Sequence, residues 1–439
     1  MFFLYTFSMS KQKSIYICES CGAESSVWGG QCRFCGEWNT LVEKVVSESV
    51  GKVNTSISIK PRKLKNIASK ELMRLSTGIS EFDRALGGGL VPGQVVLIAG
   101  TPGVGKSTLL LQLSEHFKGN VLYASGEESE NQIALRASRL GVKNESIDIA
   151  SSGNIDSILS SFSHDLLIVD SIQAVQTTDL KSQIGSMSQI KECANRVVSV
   201  AKREHKPAVI VGHITKDGEI AGPKVLEHIV DTVLYLDGDK RHMFRMLRVH
   251  KNRFGDASEV GMFKMEESGL VDVENPSELF MSDTLDLIPG SVTTVILEGT
   301  RPLTIEVQAL TTKTSFGFPK RASSGYSLNR LQLLCAVIQK HLHVDLLNQD
   351  VYLNIVSGLQ TKDPAVDLAV ISAILSSFYE KSIAKDIAFF GEVGLGGEVR
   401  AVTAQKRRIK EAKKLGYKNV YSSDNIKSIR TIATKIKNS

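Results

Sequence analysis

Along the middle of the chain, apolar residues come in short unbroken runs. Between the runs they recur every three or four residues. The runs at Val95–Ala99, Val121–Ser125, Leu166–Asp170, Ala208–Ile214 and Thr232–Leu236 read as strands buried on both faces, as in a parallel sheet sandwiched between helices. The stretches Lys106–Phe117, Ser129–Leu140 and Ser188–Glu204 carry the helical period. Strands alternating with helices predict an α/β domain with a parallel sheet. Met243–Lys251 and Gly261–Met265 then read as a hairpin. Asn275-Pro276-Ser277 is a breaker. Beyond it a second α/β unit is expected, with strands at Val292–Leu297 and Thr304–Leu310 and a helix over Leu328–Gln339.

The patterning divides the chain into an extension (1–14), a small module holding four cysteines and both tryptophans (15–42), a linker (43–72), the first α/β domain (73–275) and the second (276–439). At 439 residues there is room for several cores. The net charge of +6 permits a nucleic-acid partner without requiring one. Local charge says more. Residues 51–70 carry six Lys or Arg and no acid, and eleven Lys or Arg face two acids from Gln405 onward. No apolar run reaches the ~20 residues of a membrane span. The opening MFFLYTF lacks the basic start and small-residue cleavage site of a signal peptide. Met9 is an alternative start, and a cytoplasmic protein without a membrane partner is expected.

Residues 100–107 read GTPGVGKS, the full phosphate-loop pattern, with a strand before it and a helix after it. Gly100, Gly103 and Gly105 let the backbone curl so that its N–H groups, with those of Thr101, Pro102's neighbours, Val104 and Thr108, surround an anion at a helix N-terminus. Lys106 is expected to reach the outer phosphates of ATP. Ser107 and Asp170, at the end of LLIVD, are the expected Mg²⁺ ligands. YASGEES (123–129) places Glu127 and Glu128 after the next strand. Glu127 is the expected general base; the competing reading is that both acids cap the following helix.

Cys18, Cys21, Cys32 and Cys35 form two CxxC pairs, the spacing of a closed, structural tetrathiolate Zn²⁺ site. Gly22 and Gly36 suit knuckle turns, and Trp28 and Trp38 are expected to pack the module's core. Its partner, protein or nucleic acid, stays open. Cys193 and Cys335 read as core residues.

The order of phosphate loop, YASGEES and LLIVD, together with LSTGISEFDRALGGGLVPGQVVLIAGTPGVGKSTLLLQL (75–113), resembles the RecA/DnaB branch of motor ATPases. GHITKDGEIAGPKVLEHIVDTVLYLDGD (212–239), HKNRFG (250–255) and the four-cysteine module narrow the resemblance to the bacterial RadA (Sms) family, over about residues 15–430. The resemblance implies a RecA-like core and a homohexameric ring. It also implies ATP hydrolysis, binding of single-stranded and branched DNA, branch migration in recombinational repair, and a RecA recombinase as candidate partner. It assigns functional weight to the KNRFG motif: Lys251, Asn252, Arg253, Phe254 and Gly255. Lys251 or Arg253, offered to a neighbouring subunit, suits the charge that builds on a γ-phosphate; an exposed basic turn is the competing reading. His213 and Thr215 in GHIT are candidate sensors of γ-phosphate or DNA. Lys216 and Lys224 are candidate DNA contacts in a glycine-rich loop.

GEVGLGGEVRAV (391–402) resembles the proteolytic domain of Lon proteases, a domain of the ribosomal S5 domain 2-like type. Lys406 falls at the expected lysine. The serine position within KDPAVDLA (362–369) aligns with Ala365, and a methyl group is no nucleophile, so no peptidase activity is expected. A basic DNA-facing surface is expected instead from Lys406, Arg407, Arg408, Lys410, Lys413 and Lys414.

Overall fold

The computed structural model describes residues 13–18, 21–46, 73–213, 223–238, 244–273, 275, 277, 288–315 and 317–438. They form two compact units that divide between Asp272 and Val273, just ahead of the breaker read from the sequence.

The first unit opens with a three-stranded antiparallel sheet of β1 (Lys13–Cys18), β2 (Glu24–Ser25) and β3 (Leu41–Val46), in the order β2-β1-β3. Then follow α1 (Ser80–Leu86), β4 (Val95–Gly100), α2 (Lys106–His116), β5 (Val121–Ser125), α3 (Glu130–Arg139), β6 (Ile147–Ser151), α4 (Ile155–Ser160) and β7 (Leu166–Asp170). The unit continues through α5 (Met187–Glu204), β8 (Ala208–His213), α6 (Pro223–Ile229), β9 (Thr232–Asp237), β10 (Phe244–Asn252), β11 (Val260–Glu266) and β12 (Gly269–Asp272).

Strands β4 to β12 make one nine-stranded sheet, ordered β12-β11-β10-β9-β4-β8-β7-β5-β6. It is parallel from β9 through β6 and antiparallel from β9 through β12. Every residue of β4, β5 and β7 is buried, which explains their continuous apolar runs. Val96 and Ile98 face Phe82, Leu109, Leu110 and Leu113 on one side. Val95 and Leu97 face Ala194 and Val197 on the other, with Cys193 among them. Helices α2 and α5 thus cover opposite faces of β4. This arrangement opens a crevice at the carboxyl ends of the strands.

The second unit contains β13 (Ser291–Glu298), β14 (Arg301–Lys313), β15 (Arg321–Ser324), α7 (Leu328–Leu342), β16 (Gln349–Ile355), α8 (Asp367–Phe378) and β17 (Ile387–Phe389). It closes with β18 (Glu392–Val393), β19 (Val399–Arg400), α9 (Gln405–Lys414), β20 (Asn419–Tyr421) and α10 (Ile429–Lys437). Its six-stranded mixed sheet runs β15-β16-β14-β13-β17-β20. Helix α8 is buried from Asp367 through Ser376 and is the core of this unit. Cys335 is buried on α7.

Candidate functional site

Residues 101–105 link β4 to α2. Gly105 takes φ +115°, and a Cβ there would stand 2.9 Å from Met265 Cε, so the turn into α2 requires glycine. No acidic side chain lies in the first turn of α2. The helix therefore presents unopposed N–H groups and the positive end of its dipole at the loop, a donor set that fits phosphate. Ser107 lies in that same first turn. Lys106 is buried, and its Nζ donates to the carbonyls of Gly100 (2.8 Å) and Thr101 (3.2 Å). Burial lowers its pKa, while the charges of Asp170 and Glu127 work in the opposite direction.

Sheet register brings the acidic groups to this lysine. Gly100 pairs with His213, and Ser125 pairs with Asp170. The ends of β4, β8, β7 and β5 therefore line one edge. Asp170 is buried, and its Oδ2 accepts from the Tyr123 hydroxyl at 2.7 Å. Burial first, then the Asp170 charge, pushes the Tyr123 hydroxyl well above its ordinary range, so it stays a donor. The Asp170 carboxylate and the Ser107 hydroxyl are hard oxygen donors, a set that suits Mg²⁺.

Glu127 follows β5, where the Ser125 hydroxyl accepts from the N–H groups of Glu127 (3.3 Å) and Glu128 (3.0 Å). Its Oε1 accepts from Ser171 Oγ at 2.5 Å and stands 3.4 Å from His213 Nε2. The His213 imidazole holds the Glu127 carboxyl down at about 2; burial opposes this, and the Ser171 hydroxyl and the charges of His213 and Lys106 assist. Glu128 is engaged differently, in an ion pair with Arg136. The two adjacent acids thus have separate surroundings, and Glu127 is the one beside Lys106. In the sequence Tyr123 stands out only as part of YASGEES, and nothing marks Ser171. Each is recognisable only when β5 and β7 are paired.

The KNRFG segment lies elsewhere. Asn252 pairs with Thr232, and Thr232 pairs with Val96. The motif therefore sits at the amino-terminal edge of the sheet, while the phosphate loop leaves the far end of β4, roughly 15 Å away at ~3.3 Å per residue. Lys251 Nζ donates to the carbonyls of Glu227 (2.5 Å) and Val230 (2.8 Å), closing the end of α6. Burial, then the neighbouring Arg253, lowers its pKa. Asn252 accepts from Thr232 Oγ1 and Phe254 N–H and donates to the Leu86 carbonyl. The Phe254 carbonyl accepts from Arg74, and Gly255 lies against the Leu86 carbonyl, 3.2 Å from where a Cβ would be. Arg253 bonds the buried Asp231 at 3.1 Å while its side chain stays 49% exposed. The segment is a locked turn with one half-exposed guanidinium. Within one chain it does not join the phosphate-loop constellation.

In the cysteine module, Gly22 and Gly36 have φ of +72° and +77°. Their N–H groups donate back to Cys18 and Cys32, giving two matching knuckles. The four sulfurs lie within 4.8 Å of one another, with Cys18–Cys35 and Cys21–Cys32 both at 3.6 Å. Four sulfurs at ~2.3 Å from a tetrahedral ion stand about 3.8 Å apart, so the cluster fits one metal. The expected tryptophan core is corrected: Trp28 and Trp38 are 62% and 67% exposed. The buried residues there include Cys18 and Cys32 instead.

Thr215 and Lys216 lie outside the described residues, as does the side chain of Lys224 on α6. On α9, Lys406, Arg407, Lys410, Lys413 and Lys414 are exposed. Arg408 is not, and the expectation that it belongs to a basic surface is corrected. It is buried, ion-paired to Asp363 at 2.7 Å and donating to the carbonyl of Val295 at 2.6 Å. A buried guanidinium needs such partners. Ala365 is fully buried in the turn just before α8.

A doubly covered parallel sheet with a phosphate loop, two carboxylates and a lysine at one edge defines a RecA-like P-loop ATPase core. Residues 16–43 match the family described as rubredoxin metal binding domain, and 74–275 match a family of unknown function (DUF7125). Residues 321–439 match the Lon protease (S16) C-terminal proteolytic domain. DNA repair protein RadA of Bacillus subtilis (strain 168) is 46% identical over 424 residues, covering 94% of this chain and 93% of the relative. Its namesake in Aquifex aeolicus (strain VF5) is 46% identical over 415 residues, covering 93% of each. That of Streptococcus pyogenes serotype M3 is 45% identical over 425 residues, covering 95% of this chain and 94% of the relative. The chain belongs to the bacterial RadA family. It is an ATP-hydrolysing enzyme and not a peptidase. No helix among the described residues is long and apolar enough to cross a membrane.

Proposed function

We propose that this chain is a DNA-dependent ATPase that moves on single-stranded DNA and drives branch migration of recombination intermediates during repair. The observation that carries this reading is the gathering of Lys106, Glu127 and Asp170 at one sheet edge. The N–H groups from Gly100 to Thr108 and the Lys106 ammonium hold the phosphates of ATP. Ser107 and Asp170 hold Mg²⁺, which when bound neutralises charge on the outer phosphates. Glu127 takes the proton of the attacking water. Arg253, exposed far from its own phosphate loop, serves the site of the next copy in a homohexamer and stabilises the charge on the transferring phosphoryl group. Lys251 closes the end of α6 and holds that turn in place.

Cys18, Cys21, Cys32 and Cys35 hold structural Zn²⁺ with no open coordination position. Lys216, Lys224, Arg407 and Lys410 contact DNA phosphates. A RecA recombinase is the proposed protein partner. The test is movement of a branched DNA junction followed with ATP and with a non-hydrolysable analogue. The motor reading expects displacement with ATP alone. Equal displacement, or none, with both nucleotides supports a scaffold that uses ATP only to assemble.

A further inference from the structure

A general base has to offer an oxygen to water. Glu127 Oε1 receives the Ser171 hydroxyl at 2.5 Å and faces His213 Nε2 at 3.4 Å, so these two groups set the direction in which the carboxylate offers its oxygens. Both groups address the same oxygen, and they come from two other strands: Ser171 directly follows β7, and His213 is the last residue of β8. The charge of Lys106 also acts on Glu127.

The restraining groups are themselves held. Ser171 is fully buried. The His213 carbonyl accepts from Gln173 Nε2 at 3.4 Å. Two polar atoms in the same cluster, His213 Nδ1 and Gln173 Oε1, are buried with no hydrogen-bond partner among the described residues. Orphaned buried atoms cost free energy.

We propose that Ser171 and His213 are positioning residues that latch Glu127 in an idle orientation, restraining hydrolysis until the DNA-bound state releases it. This rests on Glu127 being the base, and the test separates the two claims. Full-length Ser171→Ala and His213→Ala are compared with wild type for ATP turnover with and without single-stranded DNA. Turnover without DNA is expected to rise about tenfold in each, the scale of one hydrogen bond to a charged group. The KM for ATP should stay unchanged, and the stimulation by DNA should shrink by the same factor. His213→Gln, which retains a donor, should restore the low DNA-free rate.

Glu127→Gln is the control and should be inactive alone and in both backgrounds. If Glu127→Gln turns over like wild type, the base assignment fails and takes the latch with it. If Glu127→Gln is inactive while Ser171→Ala and His213→Ala are no faster than wild type without DNA, the latch alone is overturned. A rate that falls in both variants, with stimulation intact, also overturns it, because the two residues then support Glu127 rather than restrain it.

Discussion

Lys106→Ala lowers ATP turnover by about 10³-fold or more, the scale lost when a preorganised charge is removed from a phosphoryl-transfer site. The size of the effect follows from where the ammonium stands. It is buried at the base of the loop, and its bonds to the carbonyls of Gly100 and Thr101 hold it beneath the space the loop encloses. Alanine leaves both carbonyls without that donor and leaves Asp170 and Glu127 without their counter-charge. Two like charges then face the incoming phosphates, and affinity falls together with the rate. Circular dichroism should match wild type, because β4 and α2 keep their apolar packing. Turnover within tenfold of wild type would remove the phosphate loop from the chemistry.

Stripping the metal from the cysteine module, by a chelator or by Cys18→Ser with Cys32→Ser, unfolds that module and leaves the ATPase core intact. The expected effect is large because structural zinc in small modules contributes ~10–16 kcal/mol of apparent binding free energy that is also folding free energy. Among the described residues of the module, the large apolar side chains Val27, Trp28, Phe34 and Trp38 are all exposed and add no core to replace it. Both tryptophans of the chain lie here, so tryptophan fluorescence anisotropy reports this module alone. It should fall as the metal leaves. Metal release with unchanged anisotropy would show that the sheet of β1, β2 and β3 stands without it.

What the sequence made legible depends on how local each signal is. Strands β4, β5 and β7 were readable because burial on both faces makes their residues uniformly apolar. Strand β6 was not: it lies at the sheet edge with partly exposed residues and reads IDIAS, which shows no clean period. Helix α1 is only seven residues long and passes for a loop. The phosphate loop and the CxxC pairs were legible because contiguous residues build them.

The bonds from Tyr123 to Asp170 and from Ser171 to Glu127 join residues 47 and 44 positions apart. They exist only once the parallel register is formed. Arg408 looked like one more cation on a basic helix. Its burial depends on Asp363, which sequence periodicity cannot pair with it. Exposure of Trp28 and Trp38 was misread for a related reason: an aromatic residue near a metal knuckle suggests a core, but the buried residues there include Cys18 and Cys32 instead.

The decisive measurement is ATP turnover of the purified full-length chain with and without single-stranded DNA, beside Arg253→Ala. DNA is expected to raise the wild-type rate. Arg253→Ala is expected to lose about 10²-fold or more, although that side chain lies far from the phosphate loop of its own chain. A wild-type rate indifferent to DNA, or an Arg253→Ala rate equal to wild type, would contradict the proposed function.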